Sequence, residues 1–508
     1  MSFLSWLLVC LGLAYYTASR YRKIPMPPGP SKRPIIGNLF DMPSQRDFEV
    51  FSRWGDTYGP LISVTVFNTS VVIINSYKKA IEILDKKSPI YSSRPHLPMV
   101  DLMGWSDSLG FLPYGARLRQ TRKIFHQELG KASGIHSFYP QEESQARKFI
   151  RLCLKNPEQL REHCLQHAGA IVLRVAYGYT AKDQDDEFIK AANDAMKTLG
   201  PAIAPGHYLV NQIPIRLCFL DFTITIAHAQ FPVRFVPEWL PGASFKRQAR
   251  QWAPLYNDMI DIPFNYVLKQ LSAGIAEESF TAKWLQRNLP DEDKDILKHG
   301  SGAMFGAGTE TTASTVHAFF LIMSIYPEIQ KQAQAEIDRV VGRDGLPTYE
   351  HQDKLPYVEA LIQECLRWHI TVPTGLPHTT TQDDIHDGYL IPKGSVVLAN
   401  IWKMARDPAV YKNPEVFNPD RFIGPSAEQD PREYIFGFGR RVCPGRLLAN
   451  ATIFITISAC LSVFDISAVE GDVPQYSPMA GNISLLEEFK CTITPRFSEQ
   501  KLAQLLDA

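Results

Sequence analysis

The stretch Phe436-Gly-Phe-Gly-Arg-Arg-Val-Cys-Pro-Gly445 sets one cysteine in a glycine-rich, arginine-bearing loop that runs directly into an apolar helical segment, Arg446 to Phe464. A thiolate at Cys443 gains from the N–H groups of such a loop and from the helix N-terminus behind it, which predicts a lowered thiol pKa and a metal-ligating sulfur. Gly439 and Gly445 let the backbone approach a flat ligand with no Cβ in the way. Arg441, two residues before the cysteine, is placed to make a charge-assisted bond to an anionic group on that ligand. A buried free cysteine in a turn is the plainer reading. It leaves the surrounding glycines and arginines unexplained.

Outward from this loop, the chain of 508 residues has 45% hydrophobic residues and no internal repeat, so it can bury a large core as one catalytic unit with a short N-terminal appendage. Lys+Arg and Asp+Glu both number 53, which gives no excess charge for a nucleic-acid partner. Eight cysteines, at positions 10, 153, 164, 218, 365, 443, 460 and 491, show no paired spacing. This fits a reducing compartment and argues against a disulfide framework or a cysteine zinc site. Phe3 to Ala18 is apolar and uncharged, and Arg20, Arg22 and Lys23 come after it. Residues 1–23 therefore read as a retained membrane anchor with the rest of the chain on the cytoplasmic side, rather than a cleaved signal peptide. Residues 24–30 form a stiff proline-rich hinge, and 31–508 the catalytic domain.

Within that domain, Leu61 to Val66 and Val71 to Asn75 read as a β-hairpin, and most of the remaining chain as helix. Asp293 to Met323, free of proline, is the longest helical candidate, and Leu355 to Trp368 repeats apolar residues at helical spacing. Five prolines between Pro408 and Pro431 make an ordered meander without regular structure. Residues 215–233 are an atypical apolar insert, read either as a segment dipping into a bilayer or as a translated intron.

The full pattern Phe436-x-x-Gly439-x-Arg441-x-Cys443-x-Gly445 resembles the haem loop of the cytochromes P-450. The resemblance spans Pro27 to Arg496 and implies a mainly α fold with a small β-rich lobe, haem b held by Cys443 as axial iron ligand, and Phe436, Gly439 and Gly445 shaping the loop. Glu364 and Arg367, three apart on one helix face, would be a solvated ion pair if taken alone. With Arg421 in the meander they resemble the family's structural triad. In Ala307-Gly-Thr-Glu-Thr-Thr312 the resemblance makes Gly308 the residue leaving room for dioxygen, with Thr311 and Glu310 organising water for proton delivery. The rival reading is a helix-packing face of small residues. Tyr114 to Arg122 resembles the helix that contacts a haem propionate, but Leu118 stands where a tryptophan donor is usual, leaving Arg122, Arg441 and His378 for the propionates and implying looser haem retention.

The resemblance further implies a monooxygenase acting on a lipophilic small molecule, with NADPH electrons from a separate cytochrome P-450 reductase. Exposed Arg119, Arg122 and Lys123 would dock that donor or merely face solvent. The expected setting is the endoplasmic reticulum membrane, as a monomer. Phe235 to Ala243 and Ile391 to Gly394 look like fungal secondary-metabolism members, which implies terpenoid or polyketide tailoring. Met99, Val100, Leu102, Met103 and Phe111, with Thr374, Gly375 and Leu376, are the expected substrate-pocket residues. Two alternatives stay open: a thiolate-haem isomerase or dehydratase needing no reductase, and a non-catalytic haem-binding protein.

Overall fold

Helices dominate because apolar residues recur at helical spacing along most of the chain. The computed structural model describes residues 24–43, 45–183, 185–203, 208, 211, 244–479, 481 and 483–507. The expected anchor at 1–23, the insert at 215–233 and the 235–243 motif lie outside them. The longer helices are α1 (Asp47–Tyr58), α2 (Ala116–Leu129), α3 (Tyr139–Lys155), α4 (Leu160–Tyr177), α5 (Glu187–Ile203), α6 (Ser244–Ser272), α7 (Asp291–Ile325), α8 (Pro327–Val340), α9 (Pro356–Trp368) and α10 (Arg446–Val463). The strands are β1 (Leu61–Val66), β2 (Thr69–Ile74), β3 (His378–Thr379), β4 (Asp384–His386), β5 (Tyr389–Ile391), β6 (Val396–Ala399), β7 (Phe464–Ala468) and β8 (Cys491–Pro495).

The hairpin β1–β2 forms with Leu61 opposite Ile74, and its branched residues bury on both faces. Strands β6 and β3 extend it into one sheet of order β1-β2-β6-β3, with β2 and β6 parallel. Helix α7 runs through the molecule against α4, α6 and α10. Glycine makes the close approach possible: a Cβ at Gly302 would overlap Ile260 of α6, and one at Gly308 would stand 2.9 Å from Val172 of α4. Helix α10 is apolar all round and buried from Ala451 to Val463, as a central core helix must be. It is also, among the described residues, the one helix long and apolar enough to cross a membrane, and its burial marks it as core.

The proline meander is tied down by one carboxylate. Glu364, fully buried on α9, takes Arg367 Nε at 2.6 Å and Nη2 at 2.8 Å, Arg421 Nε at 3.1 Å, and the Asn418 backbone N–H at 2.8 Å. Arg367 Nη1 continues to the Ala405 carbonyl, and Arg421 bonds the Lys412 and Val416 carbonyls and Glu428. A surface ion pair contributes little, but removing one partner of a buried one strands charge without solvent.

Glu364→Gln keeps the volume and removes the charge, and should destabilise the fold by about 3–5 kcal/mol. A urea midpoint unchanged from wild type would contradict this. Glu142 on α3 is also buried; Tyr349 and Thr452 donate to its Oε2, Oε1 lacks a partner, and burial pushes its pKa up to about 8. The unfolded chain releases this proton near a pKa of about 4.3, so the folded state holds more protons between those values and loses stability as pH rises through that window. Glu142→Gln should flatten the fall in thermal midpoint between pH 5 and pH 8; an identical slope in the variant would refute the assignment.

Candidate functional site

The cysteine loop is fixed by its backbone before its side chains act. Phe438 leads into the 3₁₀ turn Gly439–Arg441, and Gly439 adopts a φ of +51°. A Cβ there would overlap the Leu84 carbonyl oxygen, so this glycine is demanded by protein packing as well as by any flat ligand. Cys443 N–H donates to the Phe436 carbonyl at 2.7 Å, which closes the loop under the sulfur. The expected lowering of the thiol pKa is not what results. Burial pushes Cys443 up, and the opposing pull of the Gly445 N–H, Arg122 and Arg446 does not cancel it. A metal ion bound at the sulfur deprotonates it outright, so metal binding supplies what the loop alone does not.

Beside this loop three guanidinium groups converge. Arg122 Nη1 donates to the Val442 carbonyl at 2.9 Å. Arg441 donates through Nε to Ser92 O at 2.6 Å and through Nη2 to Leu112 O at 2.5 Å. Arg94, which sequence reasoning missed, donates through Nε to Gly110 O at 2.9 Å and through Nη1 to Leu376 O at 3.0 Å and Pro377 O at 2.8 Å. Burial, then repulsion from Arg441 and Arg122, drives Arg94 well below the usual arginine range, and Arg441 falls to about 10 through burial and Arg122. His378 joins them: its Nδ1 lies 2.7 Å from the Tyr91 carbonyl, and burial, with Arg94 next, lowers it to about 3. Among the described residues no carboxylate pairs with any of these arginines.

Cations crowded together without counter-charge, one of them the buried Arg441, are expensive, so the cluster calls for an anionic ligand. Paired carboxylates on a flat ligand, such as the haem that the resemblance implies, would meet that need. Sulfur on one side and an uncompensated cationic cluster on the other are the donor set that an iron porphyrin requires. Leu118 is 1% exposed and closes against protein rather than the cavity. Arg94 adds a further cation to the group that the sequence reading left to hold the propionates.

A second feature is a stripe on α7. His299, Ala303, Ala307 and Thr311 recur every four residues and keep accessible surface, with Ala307 the most exposed, although the residues flanking them are mostly buried. An accessible stripe inside a core helix marks a cavity. Gly308 does not face it; its missing side chain accommodates Val172, so the packing reading holds for that residue and Ala307 is the small residue on the cavity side. Thr311 Oγ1 donates to the Ala307 carbonyl at 2.7 Å. Glu310 is half-buried, and burial raises its pKa against the pull of Arg161 and Lys197. Of the expected pocket residues, Met99, Val100 and Met103 are core, packed in the cluster that contains α5 and α6 residues, and Thr374 is buried too. Leu102, Phe111, Gly375 and Leu376 keep accessible surface. Arg119 and Lys123 are exposed, while Arg122 turns inward.

Arg94→Leu should lower the haem-to-protein absorbance ratio of purified protein several-fold while leaving the far-ultraviolet helix signal intact. A full haem complement in that variant would remove Arg94 from the site.

The family model for cytochrome P450 matches residues 27–220 and 222–489. The chain is 41% identical to cytochrome P450 monooxygenase 208 of Postia placenta, over 96% of this chain and 94% of that one. It is 38% identical to cytochrome P450 monooxygenase claR of Ampulloclitocybe clavipes, over 98% and 92%. With O-methylsterigmatocystin oxidoreductase of Aspergillus flavus it shares 35% identity over 93% and 88%. Matched along nearly its whole length, and with Cys443 in the loop where that family binds haem, the chain belongs to the cytochrome P450 family.

Proposed function

We propose that the protein is a haem b monooxygenase that inserts one atom of dioxygen into a lipophilic small molecule in fungal secondary metabolism, terpenoid or polyketide tailoring being the reading the sequence favours. Electrons would come from NADPH through a separate cytochrome P-450 reductase. The chain would sit on the endoplasmic reticulum membrane through residues 1–23, with the catalytic domain in the cytosol, as a monomer. The observation that carries this is the convergence of Cys443 with an arginine cluster that has no carboxylate partner among the described residues, in a chain whose α7 carries an accessible stripe ending at Thr311. The three fungal relatives above, named as monooxygenases or as an oxidoreductase of O-methylsterigmatocystin, support the reaction class and a small-molecule substrate.

When bound, the haem supplies dioxygen activation and the oxidising power for attack on a C–H bond. The chain's own residues do the rest. Cys443 Sγ would hold the iron, with the Gly445 N–H bonded to the sulfur and the Phe436 carbonyl fixing the backbone. Arg94, Arg122 and Arg441 neutralise the propionates, and an anion beside His378 raises that imidazole and recruits it as a further donor. On the substrate side, Ala303 and Ala307 leave room on the stripe, and Leu102, Phe111 and Leu376 give an apolar lining that excludes water. Thr311 Oγ1 gives its own proton to the Ala307 carbonyl, so it presents lone pairs that hold a water molecule. Glu310, raised by burial, keeps a proton more readily than a solvated carboxyl does. With Arg161 and Lys197 acting on it, it links the interior to the surface as a relay to that water.

Cys443→Ser should abolish the red-displaced absorption of the reduced, carbon monoxide-treated protein and, with it, NADPH-dependent oxygen uptake in the presence of reductase. A variant that kept that absorption would end the haem-thiolate reading. Normal spectra without reductase-dependent uptake on any lipophilic substrate would turn the proposal toward a reductase-free isomerase.

A further inference from the structure

Away from the haem site, three ligand-type side chains meet where the hairpin β4–β5 rests on the segment after β2. Glu82 lies in the π-turn Ile81–Asp85, His386 ends β4, and Asp387 opens the two-residue turn to Tyr389. Asp387 and Gly388 have φ of 50° and 78°, the left-handed pair of a type I′ hairpin, so the backbone itself places the Asp387 carboxylate. A second clamp holds the hairpin in register with its neighbour: Asp384 accepts from Lys87 Nζ and from Tyr91 OH, each at 2.7 Å. Pre-organised ligands on braced elements are what a metal site needs.

His386 Nε2 lies 3.4 Å from Glu82 Oε2 and 3.7 Å from Asp387 Oδ1. Two ligands at about 2.0–2.1 Å from a tetrahedral zinc ion are themselves about 3.3 Å apart, so the spacing is close to that of a coordinated set. The His386 side chain is 9% exposed, and its Nε2 is buried with no hydrogen-bond partner. An unsatisfied buried nitrogen is costly, and an ion between it and the two carboxylates would satisfy it. Lys79 is the cation there now: its Nζ is 2.6 Å from Glu82 Oε2 and 2.7 Å from Asp387 Oδ2.

We propose that Glu82, His386 and Asp387 bind a single divalent transition ion, zinc by their donor set, which displaces the Lys79 ammonium and takes water as its remaining ligand. Glu82 shares the π-turn with Leu84, whose carbonyl abuts Gly439, so the bound ion braces the element on which the cysteine loop rests.

Equilibrium dialysis of the haem-loaded protein against zinc, with bound metal counted per chain, tests this. The wild type should hold one equivalent that both His386→Ala and His386→Gln lose, with the haem spectrum of each variant unchanged as the control for folding. Lys79→Met should bind the same equivalent several-fold more tightly. Retention of that equivalent in both histidine variants, or no specific zinc in the wild type, overturns the site. Unchanged affinity in Lys79→Met overturns displacement of the lysine.

Discussion

One buried negative charge organises the half of the molecule that faces the sulfur. Glu364 stands between two buried guanidinium groups and the Asn418 backbone N–H. Arg421 and Asn418 belong to a proline-interrupted segment of short turns, and their bonds to Glu364 tie that segment to α9. The energetics favour a single arrangement because any alternative leaves one of three ions uncompensated. Specificity of path matters more here than stability: the meander leads directly into the loop that carries Cys443.

The haem site has the opposite electrostatic character. Around Glu364 the charges balance inside the protein, whereas Arg94, Arg122 and Arg441 are gathered with only carbonyl oxygens for company. Carbonyls satisfy the N–H groups but do not cancel the net charge, and among the described residues the cluster's charge neighbours are the Cys443 thiol and His378 rather than a carboxylate. Two carboxylates on the proposed cofactor would complete an electrostatic set rather than add to a finished one.

Legibility in the chain divides by range. The cysteine loop, the hairpin β1–β2, the proline-free span of α7 and the Glu364–Arg367 pair are legible because their signals lie within a few residues: glycine spacing, β-branched alternation, one helical turn. Arg421 is legible only through family resemblance, since nothing local ties it to α9. Arg94 carries no signal at all; beside Pro95 it reads as a solvated loop cation until Arg441, from the other end of the chain, is brought against it. Gly308 is misread because sequence shows that a helix has a small residue but not which way it points, and Val172 occupies that side. Met99 and Met103 are misjudged for the same reason: an apolar loop residue reads alike whether it lines a cavity or fills the core. The thiol pKa is misjudged because loop dipoles are visible in sequence while the depth of burial is not.

The four-residue stripe on α7 divides the labours of a single helix. Its other faces are committed to neighbours, through glycines that tolerate no enlargement and a C-terminal half buried throughout. Position 303 lies on the stripe two turns before Thr311, whereas His299 is committed to the buried Tyr256, whose hydroxyl lies 2.8 Å from its Nδ1. A side chain at 303 can therefore change size at smaller cost to folding than one at 299. Duplicated copies of such a gene are free to vary that position while the architecture is inherited intact.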